Sequence, residues 1–160
     1  MADNEIEALV TMPHEQTWDD SHFEQMSWHD NHVHGLRIRS GARGYDGQLE
    51  LDIDYILEWL RPTESTFAFR VAPATLTFIE VLDLRIEIDY AAFSYATTPF
   101  SIAGITRQAA SSNGGTRWTL ELNAPNGAIS FLASGFRQVL RAQPIVTSSQ
   151  SLTEQERAGT

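Results

Sequence analysis

A chain of 160 residues with no cysteine, 21 acidic and 11 basic side chains and a net charge of −10 suffices for one domain with a real core. The missing cysteines exclude disulfide stapling, thiolate zinc sites and thiol catalysis. Every basic residue is arginine and none precedes Arg37, whereas residues 1–36 hold eight acids, so the acidity belongs to an N-terminal arm and the body is nearly neutral. That balance argues against a nucleic-acid surface, which gathers Lys and Arg on one face. No run of about 18 apolar residues offers a membrane span, and "MADNEIEALV" has no basic leader, so the expectation is a cytoplasmic protein.

Residues 1–26 mix acids, His and Gln with few regularly spaced apolar residues and predict a loose acidic arm, or a short helix, that docks through Trp18 and Phe23. From residue 28 the pattern turns to period-two alternation, the mark of half-buried strands. "HVHGLRIRS" puts Arg37 and Arg39 on one face, and Leu36 and Ile38 on the other with the His pair. After the loop "GARGYDG", the stretch "QLELDIDYILEW" alternates Leu49, Leu51, Ile53 and Tyr55 with Gln48, Glu50, Asp52 and Asp54, and Arg61-Pro62 is expected to end it. "TFAFRV" and "TLTFIEV" read as two strands about an Ala72-Pro73 turn, followed by "LRIEIDY", "FSIAGITRQ", "RWTLELN" and "AISFLASGF", with "SSNGG" and "APNG" as turns. "GFRQVLR" fits a last strand or a helical turn, and Ser151 to Glu154 has the spacing of a capping box for one short helix. The expected fold is mainly β: a single-domain antiparallel sandwich or partly closed roll of about eight strands over 27–146, with the arm at 1–26 and a tail at 147–160.

All five histidines precede residue 35. Three of them lie in "WHDNHVHG". His32 and His34, two apart on a strand, point the same way and can converge on one ion, with Asp30 on the same side as an oxygen donor. His29, Asp30, His32 and His34 are therefore the candidate metal ligands, completed by Asp52, Asp54, His14 or His22, since no later histidine exists. The structural reading of the same residues is that His29 and Asp30 tie down the entrance of the first strand by hydrogen bonds. Glu50, Asp52 and Asp54 share one face, where a cation or acid–base work is conceivable, but Arg37 and Arg39 on a hairpin neighbour would make them a cross-strand ion-pair ladder. There is no nucleophile elbow, P-loop or dinucleotide fingerprint. Trp18, Asp19, Asp20 and Phe23 of the arm are candidate partner-binding residues.

The order of motifs is similar to that of a group of uncharacterised bacterial β-rich proteins: the triplet Trp28-His29-Asp30, then "LDIDYILEW", then "APATLTF". More distantly it resembles the small β-rich immunity proteins of polymorphic toxin systems, which begin with a comparable aromatic-His-Asp triplet. The likeness spans roughly residues 27–146. What it implies is a compact binding protein without a catalytic role to carry over. The expected function is non-enzymatic binding, toxin-neutralising in kind, with a basic protein as partner and no cofactor. The alternatives are a divalent-metal protein or metal-dependent enzyme using His29 to His34, and a self-associating structural protein, because open sheets have edges that pair.

Overall fold

The computed structural model describes residues 16–92, 94–110 and 115–158. Ten strands run in chain order: β1 (Thr17–Asp19), β2 (His32–Ser40), β3 (Gly47–Thr63), β4 (Thr66–Ile79), β5 (Leu82–Ile88), β6 (Phe100–Ala109), β7 (Thr116–Ala124), β8 (Asn126–Ala133), β9 (Gly135–Leu140) and β10 (Ile145–Thr147), with a single helical turn α1 (Glu154–Arg157). They form one antiparallel sheet in the order β1-β9-β4-β3-β2-β6-β7-β8-β5, and β10 pairs with β4 off that path. The sheet is not closed. The mainly β antiparallel architecture and the short C-terminal helix are as the alternation implies. Of the additional strands, β1 lies in the segment read as arm, and β10 straddles the expected boundary between body and tail.

Alternation decides which side chains meet. Leu49, Leu51 and Ile53 of β3 and Leu76 and Phe78 of β4 share one buried cluster with Trp118 and Leu120 of β7 and Ile129 and Phe131 of β8. Since β3–β4 and β7–β8 stand far apart in strand order, the sheet must curl so that its two halves close on one core. The halves touch through little backbone. β2 pairs with β6 only at His32↔Ser101 and Val33↔Phe100, extended by Asp30 N–H to Ile102 O (2.8 Å) and Ile102 N–H to Asn31 O (2.9 Å).

Two elements differ from the sequence reading, both at prolines. β4 runs unbroken through Pro73 where a turn was expected. Its neighbour on that side changes there: β10 covers Phe69 to Val71, and β9 takes over at Ala74. Pro73 O accepts Arg141 N–H (2.8 Å), so the missing proline N–H faces the break between those two strands, where no ladder bond is lost. β3 likewise continues past Pro62 to Thr63. That part of the β3–β4 hairpin has outrun its outer neighbours and is edge on both sides, where proline is tolerated.

The arm is docked as far as it is described; residues 1–15, including His14, lie outside the described residues. β1 pairs with β9, and a 3-10 turn over Asp20–Gln25 follows, capped by Asp19. Trp18 packs on Tyr55 at 5.3 Å between rings. Phe23 meets Trp28 and Trp118 at 5.6 and 5.5 Å, with the Arg107 guanidinium 4.3 Å over its other face. Asp20 accepts Phe136 N–H at 2.6 Å. The segment is thus a lid on the aromatic end of the core rather than a loose arm. Phe23→Ala is expected to cost about 2–4 kcal/mol, somewhat below a fully buried aromatic because the ring is only partly covered, measured by urea unfolding. No loss of stability would mean that the lid does not hold the core.

Candidate functional site

The stretch Trp28 to His34 lies where β2 enters the sheet, and each side chain has its own task. Trp28 is buried and donates its indole N–H to Gln138 Oε1 at 2.8 Å, inside the core. The His29 ring nitrogen Nδ1 lies 3.0 Å from Ala103 O; a carbonyl only accepts, so Nδ1 carries the hydrogen. The same ring stacks on Trp59 at 6.1 Å. Asp30 adopts φ 61°, a left-handed conformation that Asp tolerates better than most residues. Its carboxylate accepts from Asn123 Nδ2 (2.7 Å) on β7 and from Gln150 Nε2 (2.9 Å) in the C-terminal segment. Asn31 is fully buried, and its Oδ1 accepts Ile56 N–H at 3.3 Å.

A bulge then separates the two histidines that alternation placed with Leu36. The register passes from Val33↔Ile53 to Gly35↔Asp52, leaving His34 as the extra residue. His32 and His34 consequently face the outer side of the sheet with Asp54, while Leu36 and Ile38 swing to the core side, opposite Leu51 and Leu49. Ile38 remains 68% exposed; the expected shared face does not exist, because a bulge inverts the parity of everything beyond it.

Asp54 is the centre of that outer face. It is fully buried beneath residues 145–158, which lie across β3 and β4 and sink Leu152 among Ile56, Phe69 and Val71. Its Oδ2 accepts from His34 Nε2 (2.7 Å), Leu152 N–H (2.9 Å) and Ser151 Oγ (3.2 Å), and its Oδ1 from Arg157. Arg157 also grips Asp52, as does Arg141. Burial pushes the Asp54 carboxyl up, but the His34 hydrogen bond, the Leu152 amide and the charges of His34 and Arg157 outweigh it and hold the group below its ordinary 3.8. Burial also lowers His32 below the ordinary 6.5, with nearby His34 adding to the shift and Asp54 opposing it. The buried His32 Nδ1 has no hydrogen-bond partner.

The carboxylate ladder is therefore split. Glu50 pairs with Arg37 and Arg39 at 3.7 and 3.2 Å, as the hairpin register implies. Asp52 and Asp54 instead hold the C-terminal segment. Sequence reasoning missed Asn123, Arg141, Gln150, Ser151, Leu152 and Arg157, because nothing local says that a tail 100 residues away covers a polar strand face. The one available signal was the tail's own pattern, an apolar residue and an arginine about a helix start. The cap there is Thr153 with Glu156, two residues beyond the expected Ser151 and Glu154.

Chemically, the arrangement stabilises more than it reacts. Three of the four metal candidates are engaged elsewhere: His29 with Ala103 and Trp59, Asp30 with Asn123 and Gln150, His34 with Asp54; His32 faces the same outer side with its Nδ1 unpartnered. Among the described residues, no three His, Asp or Glu side chains form a group that could hold a metal ion. The His34–Asp54 pair has the separation of a catalytic dyad, but every donor around it points at the carboxylate. The Ser151 hydroxyl donates to Asp54 rather than to the imidazole, so it is not activated as a nucleophile would be. Of the partner-binding candidates, Trp18, Asp20 and Phe23 are engaged on the body and Asp19 caps the 3-10 turn. An open cleft of about 510 Å³ lies where the starts of β3 and β5 meet the end of β8; its Arg43 is neutralised by Glu80 at 2.6 Å. No family model, curated protein or solved structure matches the chain.

Two measurements test this site. Asp54→Ala leaves buried donors without their acceptor and is expected to cost about 3–5 kcal/mol. Glu50→Ala on the same strand face, with exposed arginines as partners, should cost no more than about 1 kcal/mol; equal losses in urea unfolding would refute the clamp. For pH, the folded chain resists a proton on His32 that the unfolded chain accepts. Stability should therefore fall as pH drops below 6.5 toward the lowered folded value. Asp54 acts lower: its contribution is present above 3.8 and disappears as pH falls through its depressed folded value. His32→Asn should flatten the slope just below pH 6.5 and leave the more acidic loss in place.

Proposed function

We propose that the protein works by binding another protein, with the projecting end of the β3–β4 hairpin as its contact surface. The observation that carries this is a pair of solvent-exposed aromatics on that arm, Trp59 at 47% and Phe67 at 54%. Beyond Glu58↔Arg70 the hairpin has little lateral support: β2 stops at Asp54, β9 at Ala74, and β10 reaches only Phe69. Trp59 sits opposite Phe69 in the register and Phe67 alternates onto the same face. His29 stacks on one end of the row, and the Arg61 guanidinium lies 5.4 Å over Phe67 at the other. Leaving two large rings in water on a two-stranded arm is costly unless something covers them, and Trp with flanking Arg is the composition of interface anchors.

The chain's net charge of −10 favours a basic partner. Together with the resemblance to immunity proteins, it supports neutralisation of a cationic toxin as the biological setting. Binding would need no group transfer, in keeping with an Asp54 whose donors are all turned inward. The test is site-specific photo-crosslinking in the native host, with the photoreactive residue at position 67 and, as control, at position 121 on β7. A single basic polypeptide should crosslink from position 67 and not from 121. Trp59→Ser should reduce the adduct at least tenfold without changing the melting temperature, and added salt should weaken capture. Equal labelling at both positions, or labelling unaffected by Trp59→Ser, would end the proposal.

A further inference from the structure

On the β2–β3–β4 part of the sheet, charged side chains pair across the ladder: Arg37 and Arg39 with Glu50, and Arg70 with Glu58. β5 carries both signs of charge, on Arg85 and Glu87, without such a pairing. It is the last strand in the order, hydrogen-bonded only to β8. Across that pairing Arg85 faces Ser130 and Glu87 faces Ala128, so its own sheet supplies neither charge with a complement. Among the described residues, Glu87 has no ion-pair partner, and Arg85 has only a 3.8 Å approach to Asp83 while 73% exposed. Leu82 and Ile86 of the same strand are exposed apolar residues.

We infer that the β5 edge is a self-association surface, whose occupant is β5 of a second copy in antiparallel register about a two-fold axis at Ile86. The backbone suits this register. Asp89 N–H bonds to Asn126 O at 3.3 Å, so by alternation the Glu87 amide also faces β8 while those of Ile86 and Ile88 face the open edge. Placing Ile86 opposite Ile86 lets the two residues exchange both backbone bonds and sets Leu84 opposite Ile88. Arg85 of each copy then faces Glu87 of the other, twice by symmetry, in the non-hydrogen-bonded pairs where side chains lie closest. Shifting the register so that Arg85 lies on the axis would oppose Arg85 to itself. The charges on this edge thus repel other alignments while admitting one copy of the same strand. The bulge between Leu82 and Arg85 limits the paired length to the regular end of β5. That makes the association weak and reversible, and it leaves the hairpin arm free for the proposed partner.

The experiment is sedimentation velocity on the full chain and three variants. Wild type should rise from 17.9 kDa toward twice that mass between about 10 μM and about 1 mM, as for a small interface with a Kd of roughly 0.1 mM. Arg85→Glu and Glu87→Arg, each setting like charges opposite one another, should shift the midpoint at least tenfold toward higher concentration. The double variant Arg85→Glu/Glu87→Arg should restore it, and an equimolar mixture of the two single variants should form heterodimers. Restoration separates pairing from any effect on folding. A constant monomer mass for wild type, single variants that associate like wild type, or a dimer lost only on deleting residues 1–15 would each overturn the inference.

Discussion

The two halves of the sheet are joined along a seam four residues long, Asp30 to Val33, and the remainder of the architecture depends on it. On one side β2 continues into β3, β4 and β9; on the other, Ile102, Ser101 and Phe100 begin the β6-β7-β8-β5 half. Past Val33 the bulge turns β2 away from β6, and the halves meet again through buried side chains and at the β4–β5 and β8–β9 links, where Ser134 N–H bonds to Ile79 O at 2.9 Å. A seam so short has to be held at a fixed angle. Trp28 pins its start through Gln138 in the core, the left-handed Asp30 sets the direction, and Asn31 satisfies the buried amide of Ile56.

The same seam organises the outer face. Asp30 and Asp54 are both anchored to the C-terminal segment, through Gln150 in one case and through Ser151, Leu152 and Arg157 in the other. A buried carboxylate is expensive unless its lone pairs are filled. Asp54 meets that requirement with four donors, from His34, Ser151, Leu152 and Arg157, which makes it a clamp between the sheet and the C-terminal segment. The proposed contacts lie instead at the periphery, on the exposed aromatics of the hairpin arm and the charged side chains of the β5 edge.

Much of the fold was legible because alternation is a local property. The inward rows Leu49-Leu51-Ile53 and Trp118-Leu120, the turn at Ala124–Pro125, and the Arg37/Arg39 ladder to Glu50 all follow from period two and turn chemistry; residues 111–114 of the "SSNGG" turn lie outside the described residues. The candidate site was legible only in part. His29 and Asp30 tie down the strand entrance by hydrogen bonds, in agreement with the structural reading, but their partners on β6, β7 and the tail could not be named. The paired face of His34 and Leu36 was misread because one extra residue in β2 reverses parity, and whether a strand bulges depends on its neighbour. Pro73 and Pro62 misled for a related reason: proline disrupts a strand only where a ladder bond is required, and the places where β4 changes partner or outruns its neighbours are invisible in the chain itself.

The sequence by itself determined the class of fold, the composition of the core and the absence of thiol chemistry, since these follow from residue type and nearest-neighbour spacing. Only the tertiary structure decided that "WHDNHVHG" forms the seam between the two halves, and that Asp52 and Asp54 belong to a clamp rather than to a solvated ladder. It alone showed which aromatics lack cover. The physical reason is the same in each case. Burial, and with it the meaning of a charge or a ring, is set by segments brought together across 100 residues of chain, and local periodicity carries no record of them.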